Sequence, residues 1–522
     1  MTRINTNVSS LLAQRVLGQN NNALTNSLER LSTGLRINRG KDDPSGLIAS
    51  QSLRAEKAAL GAAIGNAERA DQVVNIAEGG LNEISGLLTD LQALVTATAN
   101  TAGLSYEEKE ANQLQIDSIL QTIDRVASST SFQGTRLLNG NFDYSTTSVN
   151  ASVNSFKVNG AKLEFNDTRD VNVVVTQSAQ VGGFLLSFGA ASGINLASAD
   201  DRFVIEIAGA KGSRELSFAS GTSTASIVAA INSFTDVTGV KASTSGADGG
   251  VRLETTGYGK DQFVSVKVID DGGITGGNGI YQLDSGDADA YDSATAAVAF
   301  SAATNKLTDE GQDVAAFING VQATTKGTLA RINTDFLDVE IDLKYDRAAT
   351  SAASLGAVKA FTVSGGGADF QLAGRVDIAG KVGIGIGNVA VRSLGAQTLT
   401  VKNESGADAD VAYSLSDLRA GAGLNVADGN LSAAQKIVDS AIREVSGLRG
   451  RLGSFQQNTI GATIRSLGVS LENTAAAESA IRDADFATET ASLTRSQVLV
   501  AAAQSTLSLA NSQPQSALQL LG

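Results

Sequence analysis

"LGAAIGNAERADQVVNIAEGGLNEISGLLTDLQALV" runs from Leu60 to Val95. Apolar and small residues recur in it at Leu60, Ala63, Ala67, Ala70, Val74, Ala77, Leu81, Ile84, Leu88, Leu91 and Val95, in steps of three and four. This is a heptad seam, the mark of a helix that buries one stripe against helical partners. At 1.5 Å per residue it predicts a rod roughly 50 Å long. Upstream, Leu17, Leu24, Leu28, Leu31 and Leu35 repeat the spacing, until the charged turn "NRGKDDPSG" (Asn38 to Gly46) breaks it with Gly40 and Pro44. Asp42 and Asp43 before Pro44 are expected to cap the helix that starts there. Downstream, Ser105 and Glu108 form a capping-box signature ahead of the apolar face Leu114, Ile116, Leu120, Ile123 and Val126.

The C-terminal end uses the same grammar. Ile437, Ala441, Val445, Leu448, Leu452, Phe455, Thr459 and Ala462 form one stripe, and Ile460, Ile464, Leu467 and Leu471 run beside it. Two stripes on one helix predict two packing neighbours. Leu493, Val500, Leu507 and Leu521 lie seven or fourteen apart, with Pro514 in the remaining slot. No side-chain charge follows Arg495, although the 522-residue chain has a net charge of −14. Ordering such a tail costs about 1–2 kcal/mol per residue, more than its own apolar side chains return. The tail is therefore expected to be unfolded in the lone monomer. It should become helical against the N-terminus and other copies of the chain.

Between these ends the composition changes. From about 145 to 425 the chain is rich in Gly, Thr, Val and Asp and carries most of the negative charge. Phe203, Ile205 and Ile207 alternate, as do Val264, Val266 and Val268, and Leu337, Val339, Ile341 and Leu343, so this part reads as strands. "TASIVAAINSF" (Thr224 to Phe234) reads as a helix between strands. The fold class is α+β: a terminal coiled-coil or bundle core with β-rich domains inserted into it.

Composition removes much chemistry. There is no histidine and no cysteine. Ser-His-Asp hydrolysis, histidine- or thiolate-ligated metals and cysteine nucleophiles are therefore excluded. Few aromatics and an acidic balance argue against a nucleic-acid partner. No apolar window is long enough to insert in a membrane, and the start lacks a secretory signal peptide. "GIGIGN" (Gly383 to Asn388) imitates a phosphate loop but reads as a turn, and "LDSGDADAYDS" (Leu283 to Ser293) reads as a solvated acidic loop. No catalytic residue, cofactor or metal is expected. The terminal seams lie more than 300 residues apart and offer more apolar face than one partner covers, which favours assembly.

Specific runs resemble a known family. "LLAQRVLGQNNNALTNSLERLSTGLRINRGKDDPSGLIAS", "SFQGTRLLNG" (Ser131 to Gly140) and "ESAIRDADFATE" with the closing "PQSALQLLG" resemble the terminal regions of bacterial flagellins. A stretch at about 200–270 resembles an insertion module of flagellins and hook-associated proteins. The resemblance implies a subunit that leaves the cell by flagellar type III export and polymerises into the extracellular flagellar filament. It places 1–44 and 479–522 in an inner helical tube and 45–144 and 426–478 in an outer one, with 145–425 exposed as variable domains. Implied partners are the chain itself, hook-associated proteins, the filament cap, an export chaperone and an innate receptor. The implied polymerisation interface is Ile4, Val8, Leu11, Leu24, Leu28, Leu31, Leu35, Val498, Val500, Leu507, Leu518 and Leu521. The receptor-facing helix of strongly recognised members matches Leu88 to Ala97. There Leu88 and Leu94 are retained, but arginines are replaced by Asp90 and Gln92, so weak recognition is expected. Alternatives are a hook–filament junction protein or a type III secreted translocator or adhesin.

Overall fold

In the computed structural model the described residues are 6–100, 103–164, 167–189, 193–245, 250–274, 279–283, 297–343, 356–402 and 408–519. They fall into two compact units, one of Met1–Glu78, Phe370–Lys381 and Arg449–Gly522, the other of Gly79–Asp369 and Val382–Leu448. Eight α-helices are described: α1 Val8–Thr33, α2 Pro44–Thr98, α3 Tyr106–Ser129, α4 Thr224–Asn232, α5 Thr235–Thr238, α6 Leu431–Ser454, α7 Gly461–Arg482 and α8 Phe486–Gln519. Every position of the Leu60–Val95 seam is buried, as its spacing requires.

The first unit is helical. α1 stops at Gly34, whose φ of 72° puts it in the left-handed region that a helix-ending residue adopts cheaply only as glycine. Asp43 caps α2: its Oδ1 accepts from the Gly46 N–H at 2.9 Å and the Ser45 hydroxyl at 2.9 Å. Asp42 instead ties the turn, accepting from the N–H groups of Arg39 at 2.8 Å and Asn38 at 3.2 Å. Charged pairs then hold α2 in place. Lys57 and Arg54 both reach the buried Glu478, at 2.6 and 3.5 Å, and Arg449 reaches Glu78 at 2.7 Å.

The two C-terminal stripes meet at an irregular turn. Phe455–Ile460 forms a π turn, so one extra residue is accommodated between α6 and α7. Full burial follows the first stripe as far as Leu452 and then passes to Ile460; Phe455 and Thr459 of the first stripe and Ile464, Leu467 and Leu471 of the second are half-buried, and Ala462 is exposed. A slip of one residue rotates the face by about 100°. The fully buried positions are thus carried across a slip, while Phe455 of the first stripe meets a second neighbour, the Phe370 ring at 6.2 Å. The Gln456 amide at the slip donates to Asp71 at 2.8 Å and Asn75 at 2.9 Å.

In the second unit α3 begins with the expected capping box: Glu108 N–H donates to Ser105 Oγ at 3.2 Å and Ser105 N–H to Glu108 Oε2 at 2.8 Å. Gln113 is buried because both ends of its amide are used. Its Nε2 donates to the Leu418 carbonyl at 2.9 Å, and its Oε1 accepts from Val426 N–H at 2.8 Å.

The β part of this unit is built from antiparallel sheets around two cores. An inner body pairs a five-stranded sheet, in the order Val321–Gln322, Ala315–Ile318, Arg169–Gln177, Gly356–Gly366, Tyr144–Thr147, with a four-stranded sheet, in the order Thr324–Lys326, Leu329–Asn333, Leu337–Leu343, Val153–Ala161. Val171, Val173, Ile318, Val339, Ile341 and Phe361 fill it. An outer body has two four-stranded sheets, Gly279–Gln282, Gly183–Ser187, Gly250–Thr255, Val240–Ser245 and Leu307–Glu310, Phe263–Asp270, Arg202–Gly209, Gly212–Ala219. Its core holds Phe203, Ile205, Ile207, Val264, Val266 and Val268, the residues whose alternation marked strands, together with Ile227 and Ile231 of the expected helix α4. Tyr144 anchors the root of the inner body. Its hydroxyl accepts from Ala161 N–H at 2.9 Å and donates to Ala161 C=O at 3.2 Å, and burial pushes its pKa up to about 12. Gly383 lies within the strand Lys381–Ile384, and Gly385 to Asn388 continue as loop without entering a helix; most of the acidic loop read at Leu283 to Ser293 lies outside the described residues.

Candidate polymerisation interface

α1 and α8 form an antiparallel pair. The Asn7 amide donates to the Ala510 carbonyl at 2.8 Å, and the Asn20 amide to the Leu499 carbonyl at 3.3 Å. Arg30 faces Glu489 at 3.8 Å, Arg36 N–H donates to Arg482 C=O at 2.7 Å, and Ala484 N–H to Gly34 C=O at 2.9 Å. As residue numbers rise along α1, those of their partners fall in step. Two regular helices of equal rise can hold such a register over their whole shared length.

The seam between them is made of small residues. Ser10, Ala13 and Ser27 of α1 and Ser496, Val500, Ala503 and Ala510 of α8 are buried. Small side chains let two backbones approach closely. This pairing also accounts for a departure from expectation. The tail is helical through Gln519 in the single chain, where an unfolded segment was expected; as far as Ala510 it lies along α1, which supplies a partner in the same chain and whose asparagines grip it.

The larger apolar side chains are left outside the seam. Val8 is 66% exposed, Leu11 59%, Val498 63% and Leu509 62%. Leu12, Val16, Leu28 and Leu499 are exposed as well. Leu12, Val16, Leu499 and Leu509 line a groove of about 480 Å³ along the pair, with Ala502 and Ala503 in its wall. Soluble monomers seldom keep such a contiguous apolar strip, and one marks an association surface.

The expected interface residues sort accordingly. Val8, Leu11, Leu28 and Val498 are open, and Leu24, Leu31, Leu35 and Leu507 are half-buried. Val500 is a correction: it is buried in the α1–α8 seam, so it serves the pairing within the chain and not a surface open to other copies. Ile4 and Leu521, and the side chain of Leu518, lie outside the described residues. Leu88 is a second correction. It is fully buried as a seam position of α2 and cannot face a receptor. Asp90 is exposed, Leu94 half-buried, and the Gln92 amide donates to Asp439 at 2.7 Å. Leu12 and Val16 were not among the expected interface residues, and Leu499 and Leu509 were expected only as apolar side chains of the tail. The asparagine grips were also missed, since nothing in a sequence gives the register of two helices from opposite ends.

Among the described residues no helix is long and apolar enough to cross a membrane, and no group of acidic side chains could hold a metal ion.

The bacterial flagellin N-terminal helical region matches residues 4–143, the C-terminal helical region residues 435–521, and the flagellin hook IN motif residues 202–257. Together they take in more than half of the chain, including both helices of the exposed pair. The chain belongs to the bacterial flagellin family. It is similar to Flagellin B of Helicobacter pylori strain J99, 28% identical over 99% of each chain, and to a flagellin of Salmonella choleraesuis strain SC-B67, 28% identical over 99% of each. Among solved structures it aligns with FliC from Burkholderia pseudomallei at 15% identity, covering 74% of this chain and 99% of that one, with a TM-score of 0.22 that carries no argument.

Proposed function

We infer that this chain is a structural subunit of the bacterial flagellar filament and polymerises through its terminal helices. The observation that carries the inference is the α1–α8 pair, whose small residues are spent inside the chain while Val8, Leu11, Val498 and Leu509 stay open. Full burial of each such side chain returns about 1.5–3 kcal/mol, so association with further copies is the way to recover it. Assembled, the chain would lie outside the cell as part of the filament and act structurally, not as a catalyst. Hook-associated proteins, the cap and an export chaperone would meet the same terminal helices.

The test is seeded assembly. Heat-dissociated monomer mixed with filament fragments forms tubes at neutral pH. A monomer that never forms tubes but binds liposomes would instead support the translocator reading. For the innate receptor, weak recognition follows from Asp90 standing exposed where strongly recognised members carry a cation. A reporter assay giving potency equal to such a member would overturn that.

A further inference from the structure

The inner and outer β bodies are joined by two chain crossings, Gln177–Gly183 outward and Glu310–Ala315 back. Two strands alone make a swivel, and relative motion is the ordinary expectation for bodies so connected. This waist is built differently. Gln180 and Gln312 pair as an isolated bridge, donating to each other's carbonyls at 2.8 and 3.0 Å. Each crossing is also bonded to a loop that neither swivel strand owns. Gly259 N–H donates to the Gln180 carbonyl at 3.2 Å and Gly311 N–H to the Gln262 carbonyl at 2.8 Å. On the inner side Val314 N–H donates to the Gly327 carbonyl at 2.9 Å.

Asp313 joins the two bodies directly. Its Oδ1 accepts from Gly327 N–H of the inner body at 2.7 Å and from Lys260 N–H of the outer body at 3.3 Å. A surface pair, Lys326 to Asp261 at 3.0 Å, spans the same boundary. Backbones approach closely at the glycines of the waist, beside a groove of about 490 Å³ that Gln180, Lys260, Gln312 and Asp313 line. A Cβ on Gly311 would meet the carbonyls of Gly259 at 2.6 Å and Gln180 at 2.7 Å; one on Gly259, whose φ is +103°, would meet Gly327 N at 2.8 Å as well as the Asp313 carboxylate. Glycine is needed there for close approach of backbones.

We propose that the waist is a locked joint in which the Asp313 carboxylate holds the Gly257–Asp261 loop of the outer body to the Gly327 turn of the inner body, so that both β bodies move as one. Asp313 is thus a positioning residue, and the outer body is rigidly joined to the inner one.

Hydrogen exchange on the full-length chain, read by mass spectrometry, tests this with wild type and Asp313→Ala. In the wild type the waist amides of 257–262, 310–314 and 325–328 exchange as slowly as those of the flanking strands Arg169–Gln177 and Phe263–Asp270. In Asp313→Ala the waist amides exchange about tenfold faster or more, while both sets of core strands keep their protection. Asp313→Asn, which retains one acceptor oxygen, falls between the two. Wild-type waist amides that exchange like open loops would overturn the proposal, as would an Asp313→Ala profile equal to wild type. Loss of core protection in both variants would also overturn it, by showing that Asp313 supports the fold and not the joint.

Discussion

Replacing Leu509 by serine should raise the concentration needed for filament growth without harming the subunit. Leu509 stands on α8 with 62% of its surface open, beside the groove that Leu12, Val16 and Leu499 line. Fully burying a leucine returns about 1.5–3 kcal/mol, so covering the open share returns roughly 1–2 kcal/mol at each subunit contact. That corresponds to a rise of roughly 5–30-fold in critical concentration. The monomer has little to lose, because an exposed position away from caps and cores changes stability by about 0.5 kcal/mol or less. The assay is sedimentation of seeded assemblies over a dilution series, with urea unfolding of the monomer alongside. An unchanged critical concentration would refute the reasoning. So would a rise matched by an equal loss of monomer stability, since the effect would then lie in the fold.

Two further predictions follow from local geometry. Ser105→Ala removes half of the α3 capping box and should cost about 0.5–2 kcal/mol in urea unfolding, whereas an exposed serine elsewhere in the helices, such as Ser118, should cost little. Asp43, Asp42 and Asp485 are all held below the usual 3.8, chiefly by the Gly46 N–H, the Arg39 N–H and the Thr488 hydroxyl respectively. A carboxylate lowered on folding contributes stability that is complete above its unfolded value and is lost as pH falls through the lowered one. The melting temperature should therefore be insensitive to these groups near neutrality and fall once the pH drops below about 4, with a shallower fall in Asp43→Asn. An identical acid profile in that variant would count against the assignment.

The helices were legible wherever burial follows a period. All eleven seam positions from Leu60 to Val95 are buried, and Ser105 with Glu108 forms the box its spacing announced. Legibility failed where the backbone departs from a regular helix or where contacts join distant residues. At the π turn Phe455–Ile460 the fully buried positions slip from Leu452 to Ile460, because a fixed step of three and four cannot represent an inserted residue. Gln113 looks like a solvent-facing amide in α3, and only the returning chain at Leu418 and Val426 makes it a buried clamp. Strands were found at Phe203–Ile207 and Val264–Val268, yet not their pairing. The Arg169–Gln177 strand takes its neighbours from Ala315–Ile318 and Gly356–Gly366, far along the chain, and period-two alternation carries no partner label. The interface was legible in kind but not in detail. Heptad spacing found Val500, which the seam consumes, and passed over Leu509, which the seam leaves open.

The most direct test of the central claim, that the paired terminal helices drive assembly, is electron microscopy of seeded growth by the full chain and by a chain ending at Arg495. Truncation removes the Asn7 and Asn20 grips together with Val498, Leu499 and Leu509. The full chain should elongate the seeds into tubes, and the truncated chain should leave them unextended at the same concentration. Tubes of normal length and yield from the truncated chain would contradict the account.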